Sequence, residues 1–346
     1  MFTTNLPTVT ILMPIRNESE FIERSLKAVL DQDYPPHLME IVVVDGQSTD
    51  ETRKLIDQML KECPTNSLLD FKILENPQRI TPVAMNIGIN NSVGDVVILV
   101  GGHTEIDATY VSASISALRQ SGADCVGGPL QTVGATTIAR AIAAAQGSKF
   151  GVGGVSFRDE NAVAGYVDTV AFGAYPRTVF EQIGLFDDEL VRNQDDELNF
   201  RLTQNGGKIW LDPSIKVIYF SRASLSRLWK QYYEYGLYKV RVIQKRGAVP
   251  ALRHLVPSMF VSALILAALI SLITANWIWL FSILGVYLLA NLFASSWTAR
   301  NEIRTFPYVL IATAILHFSY GTGFLIGIWQ WRKYNTLFQY IKTTSV

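Results

Sequence analysis

The C-terminal quarter of the chain confines its fold more than any other stretch. Residues 256–275 (VPSMFVSALILAALISLITA) and 277–297 (WIWLFSILGVYLLANLFASSW) contain no charged side chain, and each is as long as a helix that crosses a hydrocarbon core of roughly 30 Å. Only Asn276 separates them, which predicts a transmembrane hairpin. Residues 306–331 (FPYVLIATAILHFSYGTGFLIGIWQW) are also uncharged and long enough, with Trp329 and Trp331 as interfacial aromatics. They predict a third span, weakened in its second half by Gly321, Gly323 and Gly327. The competing reading, buried core helices of a soluble domain, fails because none of the three runs has a polar face.

Basic residues set the expected orientation. Arg241, Lys245, Arg246 and Arg253 crowd the approach to the first span and place residues 1–255 on the cytoplasmic side. Arg300 and Arg304 then lie inside as well, but three crossings would put Arg332 and Lys333 outside. Either the rule is overridden there or the glycine-broken third segment re-enters without crossing.

Composition supports a divided chain. The 346 residues carry 30 Lys+Arg and 30 Asp+Glu, a formal charge of zero that disfavours a nucleic-acid binder. The zero is a cancellation: residues 1–221 are −11, residues 222–255 are +7 and residues 256–346 are +4. Length and this partition predict three zones, a catalytic domain at 1–221, a basic amphipathic collar at 222–255 from Arg222 onward, and a membrane domain at 256–346. Cys63 and Cys125 cannot form a disulfide framework, and no basic-then-apolar leader precedes the first strand-like run.

The polar part alternates strands and helices. VTILM (9–13), IVVV (41–44), FKIL (71–74) and VVILV (96–100) are short β-branched runs of the kind buried on both faces of a parallel sheet. Helical spacing lies between them at 20–30 and 49–61, the second opened by Ser48, Thr49 and Asp50 as caps. The pattern predicts a doubly wound, Rossmann-like α/β domain whose ligands bind beyond the carboxyl ends of the strands. Polar clusters follow three of those ends: Pro14-Ile15-Arg16-Asn17-Glu18, Asp45-Gly46-Gln47-Ser48-Thr49-Asp50, and Gly101-Gly102-His103-Thr104-Glu105-Ile106-Asp107. No GxGxxG or GxxxxGK[ST] loop is present, which weighs against a dinucleotide dehydrogenase or a P-loop NTPase.

These segments, TILMPIRNES, EIVVVDGQSTDET, NPQRITPVAMNIGINNSVGDVVILVGGHTEID and NQDDELNFRL followed by LWKQYYEYG, resemble the family 2 glycosyltransferases of the GT-A fold. Among them the chain is most similar to the membrane-anchored, succinoglycan-biosynthesis type, and the resemblance runs the whole length. It implies an inverting enzyme that moves a sugar from a nucleotide donor, a UDP-sugar, to a polyprenyl-diphosphate-linked acceptor of exopolysaccharide assembly at the cytoplasmic membrane. The implied partners are donor, lipid-linked saccharide and membrane lipids; the sugar and the oligomeric state stay open. The alternative is a non-catalytic nucleotide-sugar-binding subunit.

The resemblance also implies roles. Pro14, Arg16, Asn17, Glu18 and Asp45 hold the nucleotide, where a carboxylate accepts from uracil N–H or ribose hydroxyls. Arg79, Asn86 and Gly88 lie beneath the donor, Arg79 as a planar fork for phosphate. Asp45 could equally be a turn residue of its Asp-Gly pair, and Asp50 is better read as a helix cap. The family's metal motif, an Asp-x-Asp or Asp-x-His that holds Mn²⁺ or Mg²⁺, is altered here to Gly101-Gly102-His103. His103 keeps the last position, the first carboxylate is missing, and Glu105 or Asp107 would have to complete the site.

On the acceptor side, 170–176 (VAFGAYP) and 179–186 (VFEQIGLF) predict a strand and a helix. Gln194-Asp195-Asp196-Glu197 opens a further helix whose macrodipole would favour ionised acids. Asp195 aligns with the family's general base, with Glu197 and Arg201 nearby on the acceptor or phosphate side. Arg227, Trp229, Gln231, Tyr232 and Tyr233 form a loose version of the family's Gln-x-x-Arg-Trp element, with ring faces on which sugars stack. The same stretch also describes a basic aromatic helix on an anionic membrane. Residues 136–150 read as another helix, with Gly151 to Gly154 as a flexible loop near acceptor or membrane.

Overall fold

The structure, a computed structural model, describes residues 6–62, 69–220 and 224–332; Cys63, Arg222 and Lys333 lie outside them. The chain forms two compact units, one of Met1–Thr132 with Ser156–Phe220 and one of Val133–Val155 with Ser221–Val346. Its elements begin with β1 (Val9–Ile15), α1 (Ile22–Leu30), β2 (Met39–Asp45), α2 (Thr52–Glu62), β3 (Asp70–Glu75), α3 (Thr81–Asn90) and β4 (Val96–Leu99). There follow β5 (Thr104–Ile106), α4 (Tyr110–Ser121), β6 (Cys125–Gly127), β7 (Leu130–Val133), α5 (Thr137–Gly147), α6 (Lys149–Val152), β8 (Gly165–Val167) and β9 (Ala174–Pro176). The last are α7 (Arg177–Ile183), α8 (Gln194–Gln204), β10 (Ile209–Leu211), β11 (Val217–Phe220), α9 (Leu225–Arg246), α10 (Val256–Thr274), α11 (Ile278–Thr298) and α12 (Phe306–Gln330).

In the first unit an eight-stranded sheet has the order β3-β2-β1-β4-β9-β6-β10-β8. β3, β2, β1 and β4 are parallel; β9 enters antiparallel between β4 and β6, and β10 runs parallel to β6. The expected doubly wound, mixed α/β sheet is therefore present. Strand periodicity explains why the runs do not alternate in polarity: successive residues feed two separate cores. Ile11, Met13, Ile41, Val43 and Ile98 enter one core, while Leu12, Val42, Val44, Val97 and Leu99 enter the other. β3 departs from the expected double burial. It is the edge strand, and its residues are half-buried or exposed. A small second sheet, β5-β11-β7, stands beside the first.

Parallel pairing in register Ile15 with Asp45 and Asp45 with Glu75 brings the carboxyl ends of these strands to one edge. β9 starts at that same edge, since Ala174 pairs with Ile98 and Leu99 N–H donates to the Gly173 carbonyl at 3.1 Å.

In the second unit α10, α11 and the segment ending in α12 are long and apolar enough to cross a membrane. They fall within a residue or so of the predicted spans. One expectation is corrected here: 133–155, read as part of the catalytic domain, groups with the C-terminal unit. The reason is the apolar face of α5, where Ala141, Ile142 and Ala145 share a core with Leu228, Val309, Ala312 and Leu316. A two-pronged ion pair, Arg140 Nε and Nη2 to the Glu302 carboxylate at 2.9–3.1 Å, ties α5 to the loop before α12.

Candidate functional site

The loops after β1 and β2 are laced together by their own short polar side chains. Asn17 takes left-handed backbone (φ 54°), a conformation Asn tolerates better than most residues. Its N–H donates to Ser48 Oγ at 3.0 Å, and its Oδ1 accepts from Thr49 N–H at 2.8 Å. Glu18 N–H donates to Thr52 Oγ1 at 2.8 Å, and Ser19 N–H to Asp50 at 3.2 Å. Asp50 is thus the cap that its position suggested. Although burial works the other way, hydrogen bonds from Thr52 and Ser19 hold its carboxyl down to about 2.

Asp45 ends β2 in a buried position and accepts from Ser48 N–H at 3.0 Å and Ser48 Oγ at 2.6 Å. Gly46 leaves room for the stem of Arg16: a Cβ there would sit 3.2 Å from Arg16 Cδ. Arg79, also left-handed (φ 61°), closes its guanidinium on Gln47 Oε1 through Nε at 2.8 Å and Nη2 at 2.6 Å. Gln47 is left-handed too (φ 54°). Non-glycine residues held at positive φ cost energy that surrounding contacts must offset, and here they mark three successive strand ends.

Two other residues expected beneath the donor are occupied by the fold. Asn86 bridges to the loop before α8, donating to the Phe186 carbonyl at 2.9 Å and Asp188 Oδ1 at 2.7 Å and accepting from Phe186 N–H at 2.9 Å. Gly88 lets α3 lie on β1, because any Cβ there would strike Leu12.

At the Gly101-Gly102-His103 turn both glycines are crowded by neighbouring side chains. A Cβ on Gly102 would lie 2.8 Å from Glu18 Cγ, and one on Gly101 would lie 3.0 Å from Cε1 of Phe172. The close approach brings His103 Nδ1 to 3.2 Å from Glu18 Oε1, with His103 partly exposed and Glu18 nearly buried. The Tyr219 ring meets the imidazole edge-on at 4.9 Å. Asp107, one of the two acids expected to complete a metal site, is engaged elsewhere: hydrogen bonds from Thr109 Oγ1 and N–H hold its carboxyl below the usual range. Glu105 lies within β5, paired in register with Ile218. Among the described residues no group of three or more His, Cys, Asp or Glu could hold a metal ion. His103 and Glu18 offer two donors, and the donor set does not fit a resident Mn²⁺ or Mg²⁺ site of the expected kind.

On the acceptor side, Asn193 in left-handed backbone (φ 63°) turns the chain into α8. Asp195 follows in its first turn. The residue retains some exposure, but its Oδ1 is buried without a hydrogen-bond partner among the described residues. Burial, with the charge of Asp196 adding to it, pushes the carboxyl from 3.8 to about 6. That rise is on the order of 3 kcal/mol against ionisation, whereas a helix N-terminus offers about 0.3–1 kcal/mol in its favour. Desolvation therefore outweighs the macrodipole that the sequence led us to expect. Asp195 also acts electrostatically on Cys125 and Tyr175, two buried groups whose own burial pushes them up.

α8 is pinned by side chains that the sequence had assigned to the acceptor. Glu197 is fully buried and holds Arg201 through two contacts of 3.0 and 3.1 Å, and Arg201 also donates to the Ile183 and Leu185 carbonyls. This buried pair fastens α8 to the end of α7, which corrects the expectation that Glu197 and Arg201 face acceptor or phosphate. Asn199 adds a second anchor, accepting from Tyr175 OH at 2.8 Å and donating to Thr169 Oγ1 at 2.9 Å.

The Gln-x-x-Arg-Trp-like residues lie on α9, in the second unit. Arg227 and Trp229 are exposed, Gln231 donates to Tyr235 OH at 2.9 Å, and Tyr232 is buried in the core with Leu228 and Leu316. Tyr232 is thus a packing residue and offers no free ring face, a second correction. Phe172, Tyr219, Gln47 and Cys125 were not singled out. Only Phe172 had a local signal, a large residue directly before Gly173 at a strand start, and it takes left-handed backbone (φ 52°).

With this geometry in place, comparison with known proteins gives a consistent answer. Residues 10–154 match the model of the family described as glycosyl transferase family 2. The chain is 29% identical over 326 residues, 93% of its own length and 96% of the other, to succinoglycan biosynthesis protein ExoA of Rhizobium meliloti (strain 1021). It is 29% identical over 248 residues, 68% of this chain and 74% of the other, to a dolichyl N-acetyl-α-D-glucosaminyl phosphate 3-β-D-2,3-diacetamido-2,3-dideoxy-β-D-glucuronosyltransferase of Methanococcus voltae. In fold it is similar to the mannosyltransferase PcManGT of Pyrobaculum calidifontis, solved with GDP-Man and Mn²⁺, at TM-score 0.61 and 20% identity over 91% of this chain and 88% of that one. S. aureus TarS 1-349 with UDP-GlcNAc matches at TM-score 0.53 and 15% identity, over 92% and 90%.

Proposed function

Given that the chain carries a glycosyl transferase family 2 domain of GT-A-like fold and is a glycosyltransferase, we propose that it transfers a sugar with inversion from a UDP-sugar to a polyprenyl-diphosphate-linked saccharide at the cytoplasmic membrane, in polysaccharide assembly. The observation that carries the reading is Asp195, a buried carboxylate with an unpartnered oxygen and a proton affinity raised to about 6. Such a group is ionised at neutral pH yet basic enough to take a proton.

The chemistry is a single displacement. As the acceptor oxygen forms its bond to the anomeric carbon, its proton passes to Asp195 Oδ1. The bond from the anomeric carbon to the donor diphosphate breaks on the opposite face, and its electron pair leaves with the nucleoside diphosphate. Glu197, Arg201 and Asn199 hold α8, and with it Asp195, in place. At the far side of the donor, the laced loops of Asn17, Glu18, Asp45 and Ser48 form the nucleotide cradle, and Arg16 stands exposed beside them. A metal in enzymes of this kind neutralises the leaving diphosphate. Because the residues here do not fit such a site, no step is routed through one; His103, held by Glu18, stands where the diphosphate would be met.

A membrane-bound acceptor suits a chain with three apolar helices, since a long-chain lipid stays in the bilayer. The names of the Rhizobium and Methanococcus relatives, one a succinoglycan biosynthesis protein and the other acting on a dolichyl-linked phosphate sugar, support that class. The similarity to named transferases sets aside the non-catalytic subunit. The test is a screen of nucleotide sugars with membrane-embedded protein and polyprenyl-diphosphate saccharides, reading nucleotide release and the anomeric configuration of product. Release only of GDP, or retention at the anomeric carbon, would overturn the donor or the stereochemical part respectively.

A further inference from the structure

The second unit contains a contradiction between apolar length and surroundings. α10 and α11 expose most of their apolar side chains, including Leu266, Leu269, Ile273, Phe281, Leu289 and Phe293, as a lipid-facing hairpin does. Only 22% and 17% of their most apolar windows are buried, against 56% for the segment ending in α12. Protein covers more than half of the α12 window and leaves the rest exposed.

What covers its second half is α9. A Cβ added at Gly236 would strike the Tyr320 carbonyl, one at Gly323 the Tyr233 carbonyl, and one at Gly327 would lie 2.8 Å from the Leu237 carbonyl. Two of the glycines that weakened this segment as a span, Gly323 and Gly327, are therefore places where the α12 and α9 backbones touch, while the third, Gly321, is where α12 meets the start of α10, a Cβ there striking the Pro257 carbonyl. Tyr233 meets Gly323, Leu237 meets Gly327, and Arg241 lies 5.6 Å over the ring of Trp331, so the two helices advance side by side in the same direction. Trp331 Nε1 donates to the Leu237 carbonyl at 3.1 Å and closes the far end. Along the first half, α5 packs on Val309, Ala312 and Leu316, and Asn291 of α11 donates to the Leu310 carbonyl at 3.1 Å.

α9 cannot share a path across hydrocarbon. Its 22 residues, about 33 Å of helix, include Arg227, Lys230, Glu234, Lys239, Arg241, Lys245 and Arg246. Charges spread along a whole helix are too costly at the bilayer centre but suit an anionic headgroup layer. A helix in parallel backbone contact with α9 must take the same inclination.

We propose that α12 does not cross the bilayer: α9 and α12 form a raft lying along the anionic leaflet from which α10 enters, and the α10–α11 hairpin is the membrane-crossing part. The raft's exposed apolar residues, Ile311, Ile326, Ile328 and Trp329, are the strip that sinks to the acyl boundary. Arg332 then stays on the side of Arg253, Arg300 and Arg304, which removes the conflict with the distribution of basic residues.

The test uses the full chain in the inner membrane of intact bacterial cells. Asn276→Cys and Val346→Cys are made singly in a Cys63→Ser, Cys125→Ser background and treated with a membrane-impermeant maleimide before and after lysis. The expected result is labelling of Asn276→Cys in intact cells and of Val346→Cys only after lysis. Labelling of both from outside would show three crossings, and protection of Asn276→Cys would show that the hairpin does not cross; either overturns the proposal. Fusions at Val346 on the otherwise native chain give the same answer without touching Cys125: a reporter fluorescent only in the cytosol lights up if α12 stays inside, and a phosphatase active only outside lights up if it crosses.

Discussion

The ring of Phe172 crowds Gly101, with Cε1 3.0 Å from the position a Cβ would take. The loss of the acid from the first position of the family motif is therefore not a vacancy that one substitution refills. Gly101→Asp alone should impair folding or nucleotide binding without creating a tight metal site. Gly101→Asp with Phe172→Ala should raise Mn²⁺ affinity by more than an order of magnitude, as read by calorimetry with UDP present. Equal affinities in the single and double variants would show that Phe172 is not the obstacle.

His103 and Glu18 form the pair that remains at that turn. His103→Ala should weaken UDP more than uridine, because only UDP carries the diphosphate. A parallel loss for both ligands would assign His103 to the fold.

Asp195→Asn should reduce transfer by about 10²–10⁴-fold, the usual contribution of a positioned general base, with UDP affinity nearly unchanged. Turnover close to that of the native enzyme would remove Asp195 from the reaction.

The acid limb of the rate profile should follow the same residue. Since Asp195 titrates near 6 when folded, kcat/KM should rise with pH through about 6 and level off above it. Stability runs the other way. A carboxyl with folded affinity above its unfolded value of 3.8 binds a proton more readily in the native state, so its contribution is fully present below about 4 and is lost as pH rises through about 6. Asp195→Asn should therefore be more stable to unfolding than the native enzyme at pH 8, by on the order of 3 kcal/mol at most, with the difference changing sharply between pH 6 and pH 4. A pH-independent difference would contradict the burial argument.

Glu197→Ala should act on stability, not on acceptor recognition. Leaving Arg201 buried without its carboxylate costs about 3–5 kcal/mol, while the acceptor KM of the folded fraction should hold. A selective rise in acceptor KM would restore the role the sequence suggested.

Most of the first unit was legible because its physics is local. β-branched runs of strand length, each followed by a polar cluster, specify buried strands and where their ends converge, and the positions of Asp45, Asp50 and His103 followed from that order, whereas Asp195 was found through the family resemblance alone. Contacts closed over long sequence distances were not legible. Nothing in the sequence near Gly101 announces Phe172, and nothing in Glu197-Leu198-Asn199-Phe200-Arg201 says which face of α8 turns inward. An acidic cluster at a helix start reads the same whether it meets a substrate or a buried arginine. The surroundings of the third apolar helix were hidden for a related reason: hydropathy records what a segment can tolerate and not what covers it, and α9 packs on α12.

The grouping of Val133–Val155 with the C-terminal unit means that the chain passes between the two units three times, after Thr132, after Val155 and after Phe220. No single cut releases the catalytic unit intact. A fragment ending near residue 221 would still contain α5, now stripped of the partners of Ala141, Ile142 and Ala145, and would be prone to aggregate. A form without the apolar helices calls for excision of the inserted arm as well, with Thr132 rejoined to Ser156 by a short linker, and the family 2 match at residues 10–154 would then have to fold without its last stretch.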